Sequence, residues 1–230
     1  METLLELGKK HLADKVQNGY LEFYEKHFEP LRDKPLNVLE IGVKREINYP
    51  PYSKGACSLK MWKDYFPNAN IHGIDVDPMN KNYEEDRIKI FIGNQGDKDF
   101  LADVVAEVGH FDIIIDDASH VNTLTIASYE GLFPALSSGG LYVIEDLACS
   151  YIDLDAEDVR GKAEKNYYWW GMHLLPDDYS YKNDRKIMAD FFEDKITKMD
   201  MFRTRYSLQY GDPEVSSLAF YPMMCFMSKI

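Results

Sequence analysis

Five short apolar segments alternate with helical patterns along most of this chain, and the alternation limits the folds available to it. The segments are LNVLEIGV at 36–43, IHGIDVDP at 71–78, IKIFIGN at 88–94, FDIIIDD at 111–117 and LYVIED at 141–146. Parallel strands need a crossover helix to carry the chain back over the sheet, so the alternation predicts an α/β fold with a doubly wound, mostly parallel sheet. Helices on both faces explain why the segments are continuously apolar.

The remaining sequence is assigned to the same single domain, because 230 residues suit one sizeable α/β unit. A turn is predicted at SSGG, residues 137–140, and the stretch EVSSLAFYPMMCFMSKI is expected to form a C-terminal antiparallel edge of the sheet. The predicted parts are an N-terminal helical segment at 1–34, a cofactor- and metal-binding core at 35–150, a variable aromatic-rich segment at 151–205 and C-terminal strands at 206–230.

Charge and cysteine content restrict the partners and the compartment. A formal net charge of −13 opposes binding to phosphate backbones and anionic membrane surfaces, so neither nucleic acid nor a membrane is an expected partner. No stretch approaches the roughly 18 consecutive apolar residues of a membrane span. Cys57, Cys149 and Cys225 are widely spaced and show no zinc-ligand pattern, which indicates a reducing, cytoplasmic setting.

Polar residues follow each apolar segment where the predicted strand ends. They are Glu40 and Gly42, then Asp75 and Asp77, then Asn94, Gln95 and Asp97, then Asp116, Asp117 and His120, and finally Glu145 and Asp146. Ligands of open α/β sheets bind beyond the carboxyl ends of the strands. A single acidic residue there is equally well explained as the cap of the next helix. Five such ends in succession favour a cationic or hydroxyl-rich ligand.

The loop after the first strand argues against a dinucleotide ligand. Gly42 follows Glu40, but the next glycine, Gly55, comes only after an insert at 44–54, so the GxGxxG fingerprint is missing. This pattern disfavours a pyrophosphate cradle and favours a cofactor that carries an ammonium group and a ribose. Asp75, at the end of the second predicted strand, is placed to accept hydrogen bonds from ribose hydroxyls.

Six sequence blocks, taken in order, resemble one enzyme family. The blocks are IGVKREINYPPYSKGACSLKMW, GIDVDP, GNQGDKDFL, DDASHVN, LFPALSSGGLYVIEDL and LAFYPMMCFMSK. They are similar to class I S-adenosylmethionine-dependent methyltransferases, in particular the metal-dependent macrolide sugar O-methyltransferases of the mycinamicin and macrocin type and their cephalosporin hydroxylase-like relatives. The resemblance implies a Rossmann-like fold, S-adenosyl-L-methionine and Mg²⁺ as cofactors, and a homo-oligomer.

The resemblance also implies roles for individual residues. In the family an aspartate after the fourth strand and an acidic pair after the fifth hold the metal, and these match Asp117, Glu145 and Asp146. His120 matches the general base of relatives that use a histidine. The expected cofactor contacts are Glu40, Gly42, Ser58, Asp75, Gln95, Asp97 and Asp116.

This residue set suits methyl transfer to oxygen, because an alcohol is a weak nucleophile until its proton is removed. A hard dication can chelate two vicinal hydroxyls and acidify one of them, and histidine has a pKa near ambient pH. The hypothesis is therefore Mg²⁺-dependent O-methylation of a small hydroxylated acceptor, a sugar or a glycosylated natural product. Two alternatives stay open: a catechol-like diol as the acceptor, or a relative that binds cofactor and metal without transferring a methyl group.

Two regions receive no definite role from the sequence. The stretch LADKVQNGYLEFY at 12–24 differs from the His- and Thr-rich segment that relatives carry near the substrate. The aromatic block of Tyr167, Tyr168, Trp169 and Trp170 suits a lid or a sugar-stacking platform, and core packing or a subunit interface equally well.

Overall fold

The computed structural model describes residues 1–43, 46–47, 53–151, 184–205 and 207–230. The helices are α1 Leu4–His11, α2 Leu21–Phe28, α3 Cys57–Tyr65, α4 Lys98–Val108, α5 Asn122–Leu132, α6 Arg185–Met201 and the short α7 Ser207–Tyr210. The strands are β1 Asn37–Ile41, β2 Glu46–Ile47, β3 Ser53–Lys54, β4 Asn70–Asp75, β5 Ile88–Ile92, β6 Phe111–Asp116, β7 Leu136–Ile144, β8 Val215–Tyr221 and β9 Met224–Lys229. The aromatic block at 167–170 lies outside the described residues.

Seven strands form one sheet in the order β5-β4-β1-β6-β7-β9-β8. The first five strands of this order run parallel, whereas β9 pairs antiparallel with both β7 and β8. The chain moves outward from β1 in one direction through β4 and β5, and in the other through β6 and β7. The switch point for ligand binding therefore lies between β1 and β6. The predicted mostly parallel sheet with an antiparallel C-terminal edge is confirmed.

Two apolar clusters cover the two faces of the sheet. Successive residues of each strand alternate between them: Val38 and Ile113 face the cluster formed with α1, α2 and α3, whereas Leu39 and Ile114 face the cluster formed with α4, α5 and α6. All four side chains are fully buried. Burial on both faces is the reason that the strands show no polar alternation.

The N-terminal helices pack against α3 and thereby reach the rim of the sheet. A capping box between Thr3 and Glu6 starts α1, and the apolar residues of α2 recur at helical spacing toward the core. Tyr24 of α2 contacts Trp62 of α3 edge to face, with ring centroids 5.0 Å apart. Between α1 and α2, a 3₁₀ turn at Asp14–Val16 crosses the carboxyl ends of the central strands.

One local prediction, the turn at residues 137–140, was wrong. The predicted turn at residues 137–140 lies inside β7, which pairs with β6 through a register shift, and Gly139 with φ of 75° accommodates the irregularity. In the insert at 44–54, β2 and β3 form a two-stranded antiparallel ladder. Among the described residues, no helix is both long enough and apolar enough to cross a membrane.

Candidate active site

The carboxyl ends of β1, β6 and β7 bring three acidic residues together. Backbone hydrogen bonds continue one residue beyond the strands, from Asp117 N to Ile41 O at 3.0 Å and from Glu145 N to Asp116 O at 3.0 Å. Gly42 has φ of 101°, and a Cβ there would collide with the backbone carbonyl of Asp117. Glycine is therefore required where the loops after β1 and β6 approach most closely.

We call Glu40, Asp117 and Glu145 the inner carboxylate set. One oxygen from each lies within 4.8 Å of the others. The ammonium group of Lys15 sits among them, with Nζ 3.1 Å from Glu40 Oε1, 2.7 Å from Asp117 Oδ2 and 2.6 Å from Glu145 Oε1. Burial alone would lower the pKa of Lys15, but the three carboxylates raise it well above its usual value. Lys15 is therefore a permanently charged group in the interior.

Two tyrosines of the same N-terminal segment also reach the acidic strand ends. The hydroxyl of Tyr24 donates to Glu145 Oε1, and the hydroxyl of Tyr20 donates to Asp146 Oδ1. Burial raises the pKa of Tyr24 well above its usual value and also raises that of Tyr20, so both hydroxyls keep their protons and act as donors.

We call Asp117, His120 and Asp146 the outer set. Their ligand atoms also lie within 4.8 Å of one another, and Nε2 of His120 is 3.5 Å from Asp146 Oδ2 and 3.9 Å from Asp117 Oδ1. His120 and Asp146 adopt left-handed backbone conformations, with φ of 55° and 54°. Such conformations are uncommon for residues other than glycine and often occur at functional sites.

The two sets differ in exposure. The side chains of Lys15, Glu40 and Glu145 are 0%, 0% and 1% exposed, whereas those of His120 and Asp146 are 12% and 21% exposed. Asp117 belongs to both sets, with Oδ2 toward Lys15 and Oδ1 toward His120. The inner set thus already contains a cation and has two fully buried carboxylates, while the side chains of the outer set are partly exposed.

The structure distributes the three predicted metal ligands over both sets. Asp117 lies in both, Glu145 lies in the inner set and Asp146 lies in the outer set. Among the described residues, these three do not form a single metal-binding group by themselves. Oε1 of Glu145 accepts hydrogen bonds from Lys15 and from Tyr24.

Four of the predicted cofactor residues lie on the β1 and β4 side of the switch point. Asp75 accepts amide hydrogen bonds from Val43 at 2.7 Å and from Asp77 at 2.8 Å, and burial raises its pKa to about 6. Glu40 accepts a hydrogen bond from the indole of Trp62 at 2.8 Å and another from Ser58. Gly42 joins these two groups, because its amide donates to the carbonyl of Ile74 at the end of β4.

Gln95 and Asp116 form a buried network beneath the outer set. Nε2 of Gln95 donates to Ser128 at 2.7 Å and to Asp116 at 3.3 Å, while Tyr142 donates to Asp116 at 3.2 Å. Oε1 of Gln95 accepts from the amide of Ser119 at 3.1 Å and so anchors the loop that carries His120. Burial raises the pKa of Asp116 to about 7.

The predicted cofactor contact Asp97 is the N-cap residue of α4. Its exposed carboxylate accepts hydrogen bonds from the amides of Asp99 at 3.0 Å and Phe100 at 3.1 Å, and it therefore caps α4. Capping accounts for an acidic residue at this position without a ligand.

Sequence reasoning missed Lys15, Tyr20 and Tyr24. The two tyrosines are four residues apart, which places them on one helical face, but that spacing is equally typical of core packing. A lysine in a short turn reads as a surface residue, because a lysine is almost never fully buried unless it is paired. Two of the three carboxylates that surround Lys15 come from residues more than a hundred positions later.

No protein-family model matches the chain. The chain is 43% identical over 220 residues to the 8-demethyl-8-(2-methoxy-alpha-L-rhamnosyl)-tetracenomycin-C 3'-O-methyltransferase of Streptomyces olivaceus, a match that covers 94% of this chain and 55% of that protein. It is 40% identical over 153 residues to the mycinamicin VI 2''-O-methyltransferase of Micromonospora griseorubida, covering 64% of this chain and 37% of that protein.

A solved structure matches almost the whole chain. This is the methyltransferase MycE of the mycinamycin pathway in complex with Mg, SAH and mycinamycin VI, with a TM-score of 0.73, 27% sequence identity, and coverage of 99% of this chain and 54% of that one. The chain spans about half, or less, of the length of the curated relatives that it matches.

Proposed function

Because the chain has the class I methyltransferase fold and is related in sequence to natural-product sugar O-methyltransferases, we propose that it methylates a hydroxyl of a sugar-bearing small molecule. S-adenosylmethionine is the proposed methyl donor and Mg²⁺ the proposed metal. The outer set carries the proposal: two carboxylates and an imidazole, all partly exposed, converge on one space at the carboxyl ends of β6 and β7. The sheet positions this space beside the switch point, where the cofactor of such a fold is expected.

The donor chemistry of the outer set fits a hard dication. Mg²⁺ prefers oxygen ligands and keeps several open or water-filled positions. We assign Asp117 Oδ1 and Asp146 Oδ2 as the direct ligands, whereas the third predicted ligand, Glu145, contributes its charge from the inner set, where its Oε1 binds Lys15. A bound dication would chelate two vicinal hydroxyls of the acceptor and lower the pKa of the one to be methylated.

His120 is the proposed general base. Its Nε2 faces the same space as Asp117 Oδ1 and Asp146 Oδ2, so this atom would accept the proton from the acceptor hydroxyl. The loop conformation at His120 is fixed from below, because the amide of Ser119 is held by Gln95.

The proposed cofactor contacts centre on β1 and β4. Each oxygen of Asp75 accepts one backbone-amide hydrogen bond, and the side chain of Asn80 donates a third. A carboxylate has about four lone-pair positions, so one remains for a hydroxyl of a ribose. Gly42 has no side chain to block an approach to the end of β1. Glu40, Ser58, Gln95, Asp97 and Asp116 remain predicted contacts whose described hydrogen bonds are made within the protein.

The test combines cofactor binding with turnover. Calorimetry measures binding of S-adenosylmethionine with and without Mg²⁺, and mass spectrometry follows methylation of a rhamnosylated polyketide and of a catechol. We expect binding of the cofactor, Mg²⁺-dependent methylation of the sugar and little methylation of the catechol. Asp117→Asn should abolish the Mg²⁺-dependent methylation of the sugar. The matched control Asp103→Asn, on the exposed face of α4, should behave as wild type.

Two results would contradict the proposal. Cofactor binding without methylation of either acceptor would favour a relative that does not transfer methyl groups. Methylation of the catechol alone would assign a different acceptor class. The homo-oligomer implied by the resemblance is checked separately by light scattering.

A further inference from the structure

We infer that Lys15 is a built-in cation whose ammonium group fills the inner carboxylate set and thereby confines the dication to the outer set. Lys15 is then a positioning residue, because it acts on the metal through Asp117 and Glu145. The inference rests on the proposed function to the extent that a dication is assigned to the outer set.

The first argument is the fit between Lys15 and the inner set. The ammonium group of Lys15 donates to Asp117 Oδ2 at 2.7 Å and to Glu145 Oε1 at 2.6 Å, and Glu40 Oε1 lies 3.1 Å from Nζ as an ion-pair partner. Lys15 itself is 0% exposed, so no water competes for this position. Three buried carboxylates without a cation would be strongly unfavourable, because the loss of hydration is not offset by any attraction.

The second argument is the way Asp117 divides its two oxygens. Oδ2 binds Lys15, and Oδ1 is directed toward His120 and the outer set. A dication in the inner set would have to displace an ammonium group that is tethered to the chain. At the outer set, one oxygen of Asp117 is available without such a displacement.

The third argument is the difference in access. Mg²⁺ usually keeps several water or substrate ligands and needs room for them. Glu40 and Glu145 are 0% and 1% exposed, whereas Asp146 is 21% exposed. A dication in the inner set could not meet an acceptor, but one in the outer set could. The charge of Lys15 therefore keeps the dication out of the inner set and leaves it at the outer set, where it can contact the acceptor.

The experiment counts Mn²⁺ ions bound per chain, by electron paramagnetic resonance of free Mn²⁺ in protein without cofactor. Lys15→Met removes the charge and keeps most of the side-chain length. The matched control is Lys195→Met, because Lys195 is also largely buried and is paired with Glu214, which belongs to neither set. We expect one equivalent of Mn²⁺ in wild type and in Lys195→Met, and two equivalents in Lys15→Met.

A second substitution tests where the additional ion binds. Glu40 belongs to the inner set and not to the outer set. Glu40→Gln in the Lys15→Met background should therefore return the count to one equivalent. The glutamine keeps an oxygen that can accept the hydrogen bond from Trp62.

The remaining outcomes separate this inference from the proposed function. One equivalent in a folded Lys15→Met, with unchanged affinity, would overturn the inference and leave the proposed metal centre intact. No binding to wild type would overturn the proposed metal centre and the inference with it. Lys15→Met that folds only when Mn²⁺ is added supports the inference, and failure to fold even with Mn²⁺ contradicts it.

Discussion

The inner and outer sets share Asp117 and nevertheless have opposite physical character. In the inner set, Lys15 balances the carboxylates and Tyr24 donates a further hydrogen bond, all within the interior. In the outer set, His120 and Asp146 are partly exposed and adopt uncommon backbone conformations. The comparison shows that one cluster of acidic residues at strand ends can have two parts. The inner set is paired with a lysine and holds the strand ends together, and the outer set remains partly exposed to ligands.

The largest expected effect is the loss of stability when the cation of the inner set is removed. Lys15→Met should lower the free energy of unfolding by about 3–5 kcal/mol in metal-free buffer, because it leaves buried carboxylates without their cation. Urea denaturation followed by circular dichroism measures the change. Lys195→Met should cost less, since Glu214 is partly exposed and can be hydrated. Equal losses of unfolding free energy in the two variants would contradict a stabilising role of Lys15 larger than that of an ordinary buried lysine.

The next effect is on turnover and not on stability. His120→Ala should lower kcat about a hundredfold or more, which is the usual contribution of a general base. Its cofactor affinity and urea midpoint should stay close to wild type, because the ring is partly exposed. A parallel Mn²⁺ titration shows whether His120 also binds the metal. Full turnover in this variant would exclude the assigned base.

A smaller, paired effect distinguishes the two tyrosines. Tyr24→Phe removes a donor to the buried Glu145 and should cost about 1.5–3 kcal/mol of stability, as expected for a hydrogen bond to a charged group. Tyr20→Phe removes the donor to the more exposed Asp146 and should cost less, while changing the affinity for Mn²⁺. Calorimetric unfolding and Mn²⁺ titration measure both variants. The reverse order would contradict the assignment of a buried inner set and a partly exposed outer set.

The smallest effect is expected from removal of the metal. The charge of Lys15 already balances the interior, so a chelator should change wild-type stability by less than about 1 kcal/mol when Mg²⁺ is near its dissociation constant. Differential scanning calorimetry with and without chelator gives this value. In Lys15→Met, adding the chelator should lower the stability clearly more than it does in wild type.

The sequence predicted the architecture because the determinants of the sheet are local. Continuous apolar segments separated by helical patterns specify parallel strands, and the strand ends then converge by geometry. Asp117, Glu145 and Asp146 were predicted to lie together with His120 beside them. The structure groups Asp117 with His120 and Asp146, and it groups Glu145 with Asp117 and Glu40. Gly42 was noted as part of a motif, and its close approach to Asp117 explains the glycine.

The rest could not be predicted, because it depends on contacts between distant parts of the chain. The burial of Lys15 follows from the docking of the N-terminal helices on α3, which no local pattern specifies. Two glycines at 139–140 suggest a turn, yet β7 continues across them, because Leu136 and Leu141 on either side both pair with β6 and the residues between form the irregularity. Asp97 shows the limit of residue type as evidence, since an aspartate that caps a helix and one that binds a ligand look alike in sequence.

The position of Lys15 has a consequence for biosynthesis. It precedes Asp117 by 102 residues and Glu145 by 130. During translation, the segment that completes the acidic rim is therefore made first and finds its partners last, after β7 has left the ribosome. The inner set can therefore be completed only when the whole central sheet is available.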